Sequence, residues 1–307
     1  MWKIGSGLFL GWTLGANDSA NIFGTGVATG TIRYRTAIWL TALFVMTGAS
    51  IEGPKCIQTL SELSRLTPLG AFCCSLGAGI TMLALTALAI PASASQAIVG
   101  TIVGAGLLSG TADFTKLYKV IVCWVFTPLS GLGFGYLTYH LLEWLFKHTV
   151  KSIIRRNTIY FGGIVVSGCY GAYALGANNV ANVTGVYVGT GVLSTQAASL
   201  LGGASIALGV LTYSRKVMTT IGKSIVPLDP FSAFVVVLAE AFTLHIFTQF
   251  GVPVSSSQAV VGAVVGVGLV GDVSTVNLQM LGRIGAGWLA TPLFSGLLTM
   301  ALLAFLA

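Results

Sequence analysis

Charge is what this sequence has least of. Of 307 residues, 15 are Lys or Arg and 8 are Asp or Glu, 7% of the chain, against about 25% in an average soluble domain. Such a chain cannot clothe a water-facing surface, which excludes a soluble enzyme, a disordered tail protein and a nucleic-acid binder. The last is excluded despite a pI near 9.3. Cysteine is equally uninformative: Cys56, Cys73, Cys74, Cys123 and Cys169 form no CxxC pair and are odd in number, so they read as small packing residues rather than disulfides or metal ligands. The first apolar run meets no small-residue cleavage site before Asn17 and Asp18, so it reads as a membrane segment rather than a leader.

What is present is apolar surface and glycine. Hydrophobic residues make up 55% of the chain, with 40 glycines and a mean hydropathy of +0.90. Gly is more frequent in membrane helices than in soluble ones. The sequence therefore specifies an integral membrane protein, with its net charge of +7 concentrated in cytoplasmic loops. A compact chain of this kind without a long polar loop fits the inner membrane of a prokaryotic cell.

The chain is written twice. GANDSANIFGTGVATGTIRYRTA, from Gly15, aligns without gaps on GANNVANVTGVYVGTGVLSTQAA, from Gly176, with 10 of 23 positions identical at an offset of 161. PASASQAIVGTIVGAGLL, from Pro91, matches PVSSSQAVVGAVVGVGLV, from Pro253, with 11 of 18 identical at an offset of 162. A third echo sets Trp124, Thr127 and Pro128 against Trp288, Thr291 and Pro292, at 164. Ordered blocks at nearly constant offset mean duplication: a first half over residues 1–146, a basic connector over 147–157 and a second half over 158–307.

A membrane-crossing helix needs about 20 apolar residues. Several apolar runs fall short of that, notably those following each SQ pair, and the first run of each half is interrupted at GAN. Short or interrupted segments at matching places in two halves point to a transporter's binding site. Loop charge then bears on orientation. Arg33 and Arg35 in the first half stand where the second has Ser194 and Gln196, and Lys116 and Lys119 stand opposite Asp272. Opposite bias in equivalent loops favours halves of inverted topology, although Lys55 and Arg65 in one half and Arg215, Lys216 and Lys223 in the other are basic in both. The expected fold is an all-α polytopic membrane protein: two inverted repeats with broken helices and two re-entrant hairpins, in about ten to twelve membrane segments.

Few residues could carry chemistry, and most are paired between the halves. Asn17, Asp18 and Asn21, with Asn178, Asn179 and Asn182, place polar side chains in apolar segments, where a helix break is tolerated only if it lines a cavity or is buried in protein. Asp18 is the sharper clue, since an intramembrane carboxylate is by default functional. Ser93, Ser95 and Gln96, with Ser255, Ser256, Ser257 and Gln258, follow a proline and precede a short Gly-rich helix. Hydroxyls and free amides at such a helix start favour an anion. Neither motif contains Lys or Arg, so an anion's charge must be balanced by dipoles, hydroxyls and a co-bound cation, for which Asp18 and the amide oxygens are the natural holders. Glu240 and His245 have no counterpart in the first half and read either as a proton relay or as buried neutral groups. Glu52 and Lys55 read as a local ion pair, or as a gate or part of a cation site.

GANDSAN, GANNVAN and the paired P-x-S-x-S-Q-A blocks resemble the inorganic phosphate transporter (PiT) family over essentially the whole chain. The resemblance implies a secondary carrier, not an enzyme, with inverted repeats and two hairpins meeting near the midplane around phosphate. It also implies coupling to Na⁺ or H⁺ without a further cofactor, and a homodimer. By matching position, Ser93, Ser95, Gln96, Ser255, Ser256, Ser257 and Gln258, with Asn17 and Asn178, fall to the substrate. Asp18, Asn21, Asn179 and Asn182 fall to the cation, Na⁺ if the carrier is sodium-coupled. Two departures stand out: Asn179 where many members have a second Asp, and Gln96 and Gln258 where many have His. The expectation is a cation-coupled phosphate symporter working by alternating access. A sulfate permease on the same scaffold and a passive anion channel are the rivals.

Overall fold

The computed structural model describes residues 2–306 except 63–65, 89, 91, 112–113, 222–227 and 271–277, with backbone only at 114–116, 219–221, 278 and 280. Pro91, Arg65, Lys223 and Asp272, and the side chain of Lys116, therefore lie outside the described residues. Twelve α-helices are described: α1 (Gly5–Ala28), α2 (Tyr34–Ile51), α3 (Gly53–Glu62), α4 (Pro68–Ala87), α5 (Ala94–Ser109), α6 (Phe114–Thr149), α7 (Ile153–Gly189), α8 (Thr195–Tyr213), α9 (Arg215–Ile221), α10 (Pro230–Gln249), α11 (Ser256–Gly268) and α12 (Leu278–Leu306). There is no strand among the described residues. Six helices are long and apolar enough to cross a membrane, or seven if α2 and α3, which meet at 62°, form one span.

The duplication reappears as repeated helix starts. Tyr34 and Thr195 open α2 and α8, Pro68 and Pro230 open α4 and α10, and Ala94 and Ser256 open α5 and α11, each pair at the offset of its sequence block. The local causes repeat as well. Gly30 and Gly191 both take φ +72° to turn the chain into the next helix, a conformation open to glycine at no steric cost. Thr67 and Asp229 cap α4 and α10 ahead of a proline at the first helical position, where its missing N–H is not needed. The connector expected over 147–157 resolves into the end of α6, residues 150–152 and the start of α7.

One expectation fails. The GAN motifs do not break their helices: α1 and α7 run continuously through Gly15–Ala16–Asn17 and Gly176–Ala177–Asn178. The interruptions fall later, between α4 and α5 and between α10 and α11, where Ser93 and Ser255 are extended N-caps (φ −104°, ψ 103° and φ −88°, ψ 116°). Backbone donors and acceptors must pair at membrane depth, and an unbroken helix pairs them; the glycines serve close packing instead. A Cβ on Gly15 would overlap the carbonyl oxygen of Ile206 in α8, and one on Gly176 that of Val45 in α2. Ile206 and Val45 are themselves separated by 161 residues.

This packing crosses between the halves. Gly48 of α2 meets the carbonyl of Tyr173 in α7, and Gly209 of α8 that of Trp12 in α1. Gly100 of α5 lies on Pro292 of α12, and Gly262 of α11 on Pro128 of α6. The first helices of the two halves run antiparallel: Gly7 borders Val183 and Tyr187, whereas Gly168 borders Phe23 and Gly171 borders Ile22. Close approach through small residues is how membrane helices associate without a hydrophobic driving force between them. The outer faces are apolar, with Leu137, Leu141, Trp144, Leu289, Leu293 and Leu297 all more than half exposed, a surface suited to lipid rather than water.

Candidate functional site

The polar residues singled out by the sequence are buried together where α1 and α7 meet the starts of α5 and α11. Asn17, Asn21, Asn178, Asn182 and Ser257 have no exposed surface; Asp18, Asn179, Ser93, Ser95, Ser255 and Ser256 are 1% exposed, and Gln96 and Gln258 are 4% and 3%. Burial of so many polar groups is tolerable only if they bond to one another or to a ligand.

Asn17 and Asn178 form one matched pair. Asn17 Nδ2 donates to Thr86 Oγ1 (3.0 Å) and to the Ile90 carbonyl (3.2 Å), while its Oδ1 accepts from the Ala92 amide (3.1 Å). Asn178 Nδ2 donates to Thr248 Oγ1 (3.0 Å) and the Val252 carbonyl (3.1 Å), and its Oδ1 accepts from the Val254 amide (2.8 Å). Each asparagine thus fastens the loop between its own half's fourth and fifth helices. An amide group has two donor hydrogens, and both are engaged here, so neither residue has a donor left for an anion. Asn17 and Asn178, expected among the substrate ligands, bond here to the loops ahead of α5 and α11. Thr86 and Thr248, which the sequence reading passed over, are the matching partners, and their separation of 162 was the available signal.

One turn on, the polar contacts cross between the halves. Asn21 Nδ2 donates to Ser256 Oγ (3.1 Å), which donates to Asp18 Oδ2 (2.9 Å). Asn182 Nδ2 donates to Ser95 Oγ (3.0 Å) and Asn179 Oδ1 (2.9 Å), and Ser95 Oγ donates to the Val254 carbonyl (2.8 Å). The first half's helix thus reaches the second half's hairpin, and the second half's helix the first half's hairpin.

Two kinds of unmet capacity remain. At the starts of α5 and α11, Ser93 Oγ and Ser255 Oγ accept from the third-position amides of Gln96 and Gln258 (3.2 Å each). Helix geometry leaves the first two amides of each, at Ala94 and Ser95 and at Ser256 and Ser257, without intrahelical acceptors. These are positive ends suited to an anion. Conversely, Asp18 Oδ1, Asn21 Oδ1, Asn182 Oδ1, Gln96 Oε1 and Gln258 Oε1 are buried acceptors without a hydrogen-bond partner. Oxygen acceptors of this kind suit a hard monovalent or divalent cation, and Asp18, Asn21 and Asn182 are the residues that would hold one. Asn179 differs, since its Oδ1 already receives Asn182 and its Nδ2 is the orphan.

Glu52 and Lys55 do form the local ion pair (2.9 Å), at the bend between α2 and α3, and the contact extends onto α10. His245 Nε2 lies 3.0 Å from Glu52 Oε2, Gln249 Nε2 donates to both Glu52 oxygens (3.2 and 3.1 Å), and His245 Nδ1 is 2.6 Å from Tyr170 OH.

The model of the phosphate transporter family matches residues 14–299, a stretch that contains every residue of the site. The chain belongs to the phosphate transporter family. It is similar to the sulfate permease CysP of Bacillus subtilis, 31% identical over 94% of this chain and 82% of that protein. It is also similar to a Pyrococcus horikoshii protein named "Putative phosphate permease", 27% identical over 95% of this chain and 94% of that one. Among solved structures it superposes on the sodium-dependent phosphate transporter with a TM-score of 0.86, covering 99% of this chain and 98% of the other at 23% identity, a likeness of fold. As a member of this family it is a membrane transporter, not an enzyme.

Proposed function

We propose that this protein is a cation-coupled inorganic phosphate symporter of a prokaryotic cell membrane, built from inverted repeats and working by alternating access. The observation that carries the reading is the pairing of two helix starts, each with free amides and serine hydroxyls, against buried carboxylate and amide oxygens on the crossing helices α1 and α7. The free amides of Ala94, Ser95, Ser256 and Ser257 at the α5 and α11 starts, with the Ser257 hydroxyl, offer donors to phosphate oxygens. The Ser95 and Ser256 hydroxyls, which already donate to the Val254 carbonyl and Asp18 Oδ2, would have to exchange those partners for the anion, and Ser93 and Ser255 shape the two helix starts. Asp18, Asn21 and Asn182, with the unpartnered oxygens of Gln96 and Gln258, offer oxygens to the coupling cation, Na⁺ or H⁺. No covalent step is required. Antiparallel α1 and α7 and the exchanged packing of the halves support inverted topology, and such an arrangement lets one half rock against the other around a central site.

Sulfate is the second reading, favoured by the likeness to the Bacillus subtilis sulfate permease. The acceptor oxygens argue for phosphate: hydrogen phosphate can donate a hydrogen bond to Asp18 Oδ1, and sulfate cannot. A site built around such a bond discriminates strongly against a ligand that lacks the hydrogen. The deciding experiment is uptake of labelled phosphate into proteoliposomes under an imposed Na⁺ gradient, a pH gradient or neither, with excess cold sulfate as competitor. Gradient-driven accumulation indifferent to sulfate is the expected result. Suppression by sulfate transfers the assignment to the second reading, and equilibration without accumulation makes the protein a passive channel.

A further inference from the structure

Asp18 and Glu240 are the two buried carboxyls among the described residues, at 1% and 0% exposure. Glu240, read from the sequence as either a proton relay or a buried neutral group, lies outside the hydrogen-bonded site described above. It stands at the middle of α10, and neither of its oxygens has a hydrogen-bond partner.

Its outlook follows from helix register. A Cβ on Gly171 of α7 would lie 3.3 Å from Ile22 of α1 and 3.7 Å from Val237 of α10, so these residues are level. Further along α7, Asn178 bonds Leu244 and Thr248 of α10, so α7 and α10 run parallel, whereas α1 is antiparallel to both. One turn beyond Val237 on α10 and one turn before Ile22 on α1 therefore bring Glu240 level with Asp18.

The remaining titratable groups on neighbouring helices are engaged elsewhere. His245 lies about 140° around α10 from Glu240 and bonds Glu52 and Tyr170, while Lys55 bonds Glu52 and Gln249. Tyr173 packs on the His245 ring. From α6, Tyr139 and His140 contact each other with Tyr139 against Phe231, and Glu143 pairs with Lys147. Cys56 of α3 receives the Asn178 amide. The described part of α11 carries no titratable side chain.

We propose that Glu240 is the proton-carrying group of this transporter, taking up one proton as the anion binds beside Asp18 and releasing it as the anion leaves. This rests on the phosphate-symport reading and names its coupling ion. A buried carboxylate with no cation or donor beside it is costly, and a proton, unlike Na⁺, needs no shell of oxygen ligands to neutralise it. Asp18, level with Glu240 on the neighbouring helix α1, adds to the cost of a charge on Glu240 whenever it is itself ionised. An anion arriving at the α5 and α11 starts adds a negative charge, which favours protonation of Glu240. By reciprocity, a protonated Glu240 favours the anion by the same factor. The step balances as one carboxylate plus one proton giving one carboxylic acid, with no other bond changed.

The test is carried out on purified protein in proteoliposomes. Phosphate counterflow at equal pH measures carriage without a driving gradient, and accumulation under an inward proton gradient measures coupling. Wild type is expected to show both, with accumulation lost on removing the pH gradient even when a Na⁺ gradient is kept. Glu240→Gln is expected to lose at least tenfold in proton-driven accumulation relative to its own counterflow rate. Infrared difference spectra of wild type with and without phosphate are expected to gain the C=O stretch of a protonated carboxylic acid, which does not depend on the variant folding. Counterflow without any response to the proton gradient, an unchanged accumulation ratio in Glu240→Gln, or no carboxylic-acid band overturns the proposal and leaves phosphate carriage standing. Absence of wild-type counterflow overturns the phosphate reading itself.

Discussion

Ser256 Oγ at the start of α11 donates to Asp18 Oδ2 of α1 at 2.9 Å, across 238 residues of sequence. The same hydroxyl accepts from Asn21 Nδ2 at 3.1 Å, so one serine orients the carboxylate and ties the hairpin of the second half to the first helix of the chain.

Ser256→Ala removes that oxygen and leaves Asp18 buried with no donor and the Asn21 amide without its acceptor. Losing a partner to a buried charged group costs about 1–3 kcal/mol. The expected outcome is a lower unfolding temperature in detergent and a several-fold higher cation concentration for half-maximal uptake, with Ser256→Thr restoring most of both. Unchanged cation dependence in the alanine variant would detach Ser256 from the cation site.

Asp18→Asn keeps the shape of the side chain but removes its charge. Gradient-driven accumulation in liposomes should be abolished. Retention of normal accumulation would remove Asp18 from the coupling role.

Asn17→Asp and Asn178→Asp retain the acceptor for the Ala92 or Val254 amide but delete both donors to the loop and to Thr86 or Thr248. Each leaves a buried carbonyl unpaired and adds a further buried carboxyl to Asp18 and Glu240. Both variants should be strongly destabilised, and to similar degree, as read by thermal unfolding. A stable Asn17→Asp protein with altered phosphate affinity would return that residue to the substrate.

Glycine substitutions separate packing from propensity. A Cβ at Gly15 or Gly176 would overlap a backbone carbonyl oxygen that cannot rotate away, and overpacking of this kind costs on the order of 3 kcal/mol or more. A Cβ at Gly133 meets nothing within 4 Å, and alanine there should raise helix stability by about 0.5–1 kcal/mol. Yield of monodisperse protein should therefore fall for Gly15→Ala and Gly176→Ala and hold for Gly133→Ala. Equal behaviour of all three would count against the exchanged packing of the halves.

The membrane class followed from composition because 23 charged residues in 307 leave no means of wetting a surface. The duplication followed from self-alignment, and helix starts outside the aligned blocks, such as Pro68 and Pro230, keep the same 162-residue offset, since caps, prolines and turn glycines act locally. The site's membership was legible for the same reason: polar side chains inside apolar runs have no purpose there except to bond one another or a ligand.

Division of labour within that membership was decided only by tertiary structure. Asn17 and Asn21 are both buried asparagines in one motif, yet the first ties its own half's loop and the second reaches the other half's hairpin. Four residues' separation puts them about 40° apart on a helix, and which partner each meets depends on how α1 crosses α4 and α11. The GAN segments read as helix breaks because Gly-Ala-Asn is a weak helix former in water. Within lipid and packed protein, the need to satisfy every backbone N–H and C=O outweighs a propensity difference of about 1 kcal/mol per glycine. Glu240 stood out in the sequence only as an intramembrane carboxyl without a counterpart in the other half; its level with Asp18 arises from the register of two helices more than 200 residues apart, information that no local pattern carries.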